Sequence, residues 1–174
     1  MYNTNVADYI VVSPIRKIYD SQSEKYTIWN GDQIIKCEDG TKWFVLRSKE
    51  CERFCGYLYL REALQKMHCT NVVAAENRLC LNGRTVLYLS KYYADETLFF
   101  SYDTAQFRTL QEVGFKDYVG RNLSVKDGIM YVFDTEKLSF DPGLHHEIDS
   151  YKTFHDSIKS YLEQNNHLIE LTQS

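Results

Sequence analysis

Proline is nearly absent. Only Pro14 and Pro142 occur in 174 residues, and there are neither repeats nor low-complexity tracts. No run of Lys or Arg exceeds two residues, and the net charge is -4. That balance excludes a protein held to nucleic acid by phosphate contacts. No apolar run approaches the length of a membrane span. The opening "MYNTNVADYIVV" has no basic stretch followed by an apolar one, so it is not expected to be a cleavable secretory leader. The five cysteines are odd in number and contain no C-x-x-C pair. Neither a disulfide framework nor a zinc site is indicated, and a reducing, cytoplasmic compartment is expected.

What is present is aromatic and foldable. Aromatic residues make up 14% of the chain, which suits a packed domain and not a disordered one. The length allows one domain, or two small lobes sharing a core. "DYIVVSPI" reads as a short strand stopped near Pro14. In "QIIKCEDGTKWFVLR" the "EDG" at 38–40 reads as a hairpin turn. On its second strand Val45 and Arg47 fall on one face, Phe44 and Leu46 on the other. "KECERFCGYLYLREALQKMH" predicts a helix with a stripe of Phe54, Leu58, Leu64 and Met67. Within 71–93, two strands joined at Asn82–Gly83 are expected.

The second half predicts a helix over "AQFRTLQEVG", closed by Gly114. A hairpin, "NLSV" and "IMYVF" about the turn "KDG", follows. One further helix is expected from "HHEIDSYKTFHDSIKSYLEQ", with Ile148, Tyr151, Phe154, His155, Ile158 and Leu162 as its apolar face. The pair His145–His146 reads as solvated loop histidines. The fold class expected is α+β, with an N-terminal antiparallel sheet carrying one helix and a small helical second part. The boundary between the two parts is expected between residues 89 and 90.

One spacing carries chemistry. Of the twelve Asp, only Asp117 has an Asn five residues on, at Asn122, and Asp134 follows twelve residues later at the end of an apolar strand. Phosphoryl transfer needs hard oxygen ligands for a divalent cation and a separate carboxylate for the acceptor hydroxyl. A tight loop and a hairpin bring such groups to one point.

"DYVGRN" and the hairpin ending at Asp134, with the order of strands and helix before them, resemble the protein-kinase-like superfamily. The resemblance covers about residues 26–140. It implies a reduced two-lobe fold and an ATP cleft between sheet and hairpin. It also implies Asp117 as the catalytic acid–base, and Asn122 and Asp134 on Mg²⁺. Arg47 or Lys49 would pair with nucleotide phosphate, with Glu62 or Glu52 as the helix partner.

The departures are specific. "FK" precedes Asp117 in place of "HR", and "DTE" stands where the family has "DFG". Gly31 is alone where a glycine-rich loop belongs, and Arg47 replaces the family's Lys. Small atypical members vary in these same parts, among them reduced effector kinases of intracellular bacteria.

Two functions follow from the resemblance. One is a minimal ATP- and Mg²⁺-dependent phosphotransferase. The other is a pseudokinase that binds a protein and transfers nothing. About 40 residues follow Asp134, too few for a peptide platform. The acceptor is therefore expected to be a small molecule, or a cognate or host protein completes the surface. The tail "LEQNNHLIELTQS", with Glu163, Glu170 and Leu171, resembles translocation signals of effectors that enter a host cell.

Overall fold

The computed structural model describes residues 5–11, 15–20, 33–37, 39–46, 50–82, 85–91, 104–118 and 122–165. The chain is α+β. It divides into two compact units, each discontinuous in sequence. One gathers 51–75 and 95–152, the other 4–50, 76–94 and 153–174, with residues 1–3 assigned to the first. No helix among the described residues is long and apolar enough to cross a membrane.

The five named strands of the sheet unit pair antiparallel. Strands β1 (Ile15–Asp20), β2 (Gln33–Cys37), β3 (Lys42–Val45), β5 (Asn77–Asn82) and β6 (Thr85–Lys91) lie in the order β1-β2-β3-β6-β5. The expected turn at 38–40 joins β2 to β3. Its chemistry is local: the Asp39 carboxylate accepts from both the amide and the hydroxyl of Thr41, at 3.0 and 2.6 Å. Those two bonds hold Asp39 below the usual carboxylate range. Val11, Ile35, Cys37, Trp43, Cys80 and Leu89 form the buried cluster. Helix α4 (Lys152–Gln164) buries His155, Ile158 and Leu162. Its Phe154 stands edge-on to Tyr9, and the His155 ring stacks on Tyr88, whose hydroxyl lies 2.8 Å from Nε2.

The other unit surrounds helix α1 (Glu50–Lys66). A three-stranded sheet, β4-β8-β7, is built from β4 (Val72–Ala74), β7 (Leu123–Lys126) and β8 (Ile129–Val132). β4 runs parallel to β8, and β7 pairs antiparallel with it. Asp127 and Gly128 both carry positive φ in the β7–β8 turn, the pair a two-residue hairpin needs. Leu60, Leu64, Val72, Leu110, Phe115, Met130 and Phe140 sit in its core. The described side chains of α1 are buried or partly buried on nearly every side up to Leu64, so the helix lacks the clean stripe of a surface helix. Met67, expected on that stripe, lies beyond the helix end and is exposed.

Three local expectations are corrected. The expected N-terminal strand over 8–15 begins instead within a 3₁₀ turn, Val6–Tyr9, because the Asn5 side chain accepts from the Ala7 amide and starts a helical turn. Ile10 then bridges to Leu79, whose carbonyl accepts the Val11 amide at 3.0 Å, Ile15 starts β1, and 12–14 lie outside the described residues. The region 71–93 holds three strands, the first of which joins the other sheet. The last helix is two, α3 (His145–Ser150) and α4, broken at Tyr151, and His145 begins α3.

Helix α2 (Thr104–Glu112) ends as its Gly114 foretold. The Phe115 amide donates to the Leu110 carbonyl and the Gly114 amide to Gln111, a Schellman closure with Gly114 at φ +79. A Cβ at Gly114 would also meet the Leu144 side chain. Gly114→Ala should therefore cost about 2 kcal/mol in urea unfolding, from left-handed strain plus overpacking. A loss near zero would mean that this closure does not hold the helix end.

Candidate functional site

Helix α1 and the hairpin β7–β8 belong to one unit, and the segment after β8 lies on the helix. Gly56 makes this possible. A Cβ there would run into the Thr135 carbonyl oxygen. Thr135 is fully buried, and its hydroxyl donates to the Arg53 carbonyl at 2.7 Å. Asp134, Thr135 and Glu136 are thus fastened to the first turns of the helix.

Their acids meet the side chain of Arg53. Its Nη2 donates to Glu136 Oε1 at 3.2 Å, and its Nε stands 3.8 Å from Asp134 Oδ1. At 3.8 Å the second contact is an ion pair and not a hydrogen bond. Arg53 Nε is buried and has no hydrogen-bond acceptor. The Glu136 amide donates to Asp134 Oδ1 at 3.3 Å. Burial pushes the Asp134 carboxyl up; Arg53 draws it back, while the charges of Glu136 and Asp117 add to the rise.

Asp117 reaches this neighbourhood by a separate route. Phe115 bridges to Phe140, and the Lys116 amide donates to the Ser139 carbonyl at 2.8 Å. The Ser139 hydroxyl then donates to Asp117 Oδ2 at 3.5 Å. Asn122 is buried just before β7, and its carbonyl accepts the Phe133 amide at 2.8 Å. Asn122 therefore stands opposite the residue that precedes Asp134. The sequence-predicted Asp117, Asn122 and Asp134 gather at the open end of one hairpin.

Glu62 lies elsewhere. Nine residues along α1 from Arg53, it is about 13 Å further down the axis. Its carboxylate accepts from the Tyr151 hydroxyl and pairs with Lys66 at 3.2 Å. It helps line a cavity of about 390 Å³ with Tyr59, Lys66, Glu112, Glu147 and Tyr151. Glu52 contributes to the negative field at Lys137, whose ammonium pairs with Asp149 at 2.9 Å. Arg47 and Lys49 lie outside the described residues.

The sequence reading missed Arg53, Gly56 and Thr135. A signal existed in Gly56: a glycine in the middle of a helical pattern costs about 1 kcal/mol against Ala, and commonly marks a close approach.

The donor chemistry suits a hard cation, since Asp134 and Asn122 offer oxygens. The arrangement does not. The Arg53 guanidinium already takes the Asp134 and Glu136 carboxylates. Among the described residues, no group of three or more His, Cys, Asp or Glu side chains is placed to hold a metal ion. As arranged, these residues do not fit a bound Mg²⁺. No family model, curated protein or solved structure matches the chain.

Glu62 supplies a stability test. Burial raises its carboxyl, but the bonds from Tyr151 and Lys66 outweigh that and leave it below the usual glutamate range. A lowered carboxyl stabilises the fold above its unfolded value, and this is lost as pH falls through the folded value. Tyr151→Phe should cost about 1–2 kcal/mol at pH 7, and progressively less as falling pH protonates Glu62. Urea unfolding over a descending pH series checks this; a cost that stays constant until the fold is lost would remove the charged bond.

Proposed function

We propose that this chain is a reduced, two-lobed member of the protein-kinase-like superfamily that binds another protein and transfers no phosphate. One observation carries the reading: Arg53 holds the carboxylates of Asp134 and Glu136, the first being the position where that family places its metal. A guanidinium carries its charge at every accessible pH, so titration does not vacate this place. The absent glycine-rich loop and the Arg at position 47 favour the same reading. The partner is a cognate protein, or a host protein if the chain is a translocated bacterial effector.

A second reading is favoured by a different observation. Asp117, Asn122 and Asp134 meet at one hairpin end, close enough that Asp117 raises the proton affinity of Asp134. Were Arg53 to move off Asp134, that arrangement would suit an ATP- and Mg²⁺-dependent phosphotransferase with a small acceptor. Asp117 would take the acceptor proton and Asn122 and Asp134 would hold the metal. Arg47 or Lys49, with Glu62 or Glu52, would then serve the nucleotide phosphates.

A thermal-shift titration separates the two. The binding-module reading expects ATP with Mg²⁺ to leave the unfolding midpoint unchanged, since only a ligand of the native state raises it. A dose-dependent rise that Asp134→Ala abolishes would establish the phosphotransferase reading instead.

A further inference from the structure

Asp134 feels the charges of two further carboxylates, Glu136 and Asp117, and a single guanidinium answers Asp134 and Glu136. If all three acids are ionised, one positive charge faces three negative ones. Arg53 is also incompletely used. Its Nη2 reaches Glu136, but its buried Nε–H finds no acceptor, standing 3.8 Å from Asp134 Oδ1 in an ion pair without a hydrogen bond. Its side chain is 23% exposed, and those of Asp134 and Glu136 are 27% and 25% exposed. Solvent and small ions therefore reach all three. The backbone around them is fixed independently, by the Thr135 hydroxyl on the Arg53 carbonyl and by the close approach at Gly56. Removing the guanidinium would leave the carboxylates where they are.

The geometry points to Arg53 as a resident counter-cation: it excludes a divalent ion from Asp134 and Glu136, and loss of its charge turns these acids into a divalent-cation site. This rests on the reading of Asp134 as the kinase-like metal position. The cation class follows from the donors, which are hard carboxylate oxygens. Charge explains the exclusion. An ion entering beside Asp134 meets a fixed positive group a few ångströms away, in a partly buried setting where such repulsion is strong.

The test uses Mn²⁺ as the probe, with free ion counted by electron paramagnetic resonance. Wild type, Arg53→Lys, Arg53→Gln and the double variant Arg53→Gln/Asp134→Asn are titrated after circular dichroism shows each folded. Wild type and Arg53→Lys should bind weakly. Arg53→Gln should bind about tenfold tighter or more, and the double variant should revert.

Equal affinity in Arg53→Gln and wild type, both weak, overturns the inference. That outcome leaves the binding-module reading standing, because the latter is judged on wild type with ATP. Tight Mn²⁺ binding by wild type, with a nucleotide-dependent rise in midpoint, overturns both. A second measurement needs no variant. In wild type, millimolar Mn²⁺ should leave the Arg53 Nε–H resonance and the amides of Asp134 and Glu136 sharp. Selective broadening of these resonances overturns the inference even if Arg53→Gln fails to fold.

Discussion

The contact between Thr135 and the first turns of α1 sets the rest of its unit. A peptide carbonyl lies against a helix backbone only where no Cβ intervenes, and Gly56 provides that place. The Thr135 hydroxyl satisfies the Arg53 carbonyl, and its own side chain is removed from water. A buried hydroxyl without such a partner would cost about 1–3 kcal/mol. The chain leaving β8 therefore has one position on the helix. Everything placed relative to β8 inherits it: Asn122 through its bond to the Phe133 amide, and Asp117 through the Ser139 stretch that follows Glu136.

That position imposes an electrostatic demand. Asp134 and Glu136 are two residues apart and both partly sheltered, and the Glu136 charge opposes ionisation of Asp134. At about 4 Å and an effective dielectric near 20, a unit-charge pair interacts by about 4 kcal/mol before desolvation is subtracted. One cation must lie between them. Arg meets the requirement better than Lys, since its planar fork spans two acceptors and it stays charged when partly buried. Under the proposed function, the choice of a protein cation over a bound ion is what would separate a binding module from a phosphate-transfer site. It depends on a residue that no motif spacing singled out.

Local chemistry was readable in the sequence and distant pairing was not. "EDG", "KDG" and the Asn82–Gly83 pair announced their hairpins because turn geometry depends on a few adjacent residues. Gly114 announced the end of α2 for the same reason. The strand β4 was missed because three residues, Val72–Ala74, carry no period, and only its parallel pairing with β8 makes it a strand. The break at Tyr151 was hidden because the apolar face continues across it while the Tyr151 hydroxyl turns to Glu62. The spacing from Asp117 to Asn122 to Asp134 was visible, but its electrostatic partner was not. Arg53 lies about 80 residues before Asp134, and a lone Arg in a helix gives no sign of which acid it will meet.

The account turns on the coupling of Arg53 to the acids beside Thr135, and a double-mutant cycle measures it most directly. Arg53→Met, Asp134→Asn and the pair are compared by urea unfolding at neutral pH and moderate salt. The expected coupling energy is about 1–2 kcal/mol, with Arg53→Met alone destabilising and Asp134→Asn relieving part of that loss. Additive effects, with coupling near zero, would mean that Arg53 does not hold Asp134, and the account of a resident cation would be contradicted.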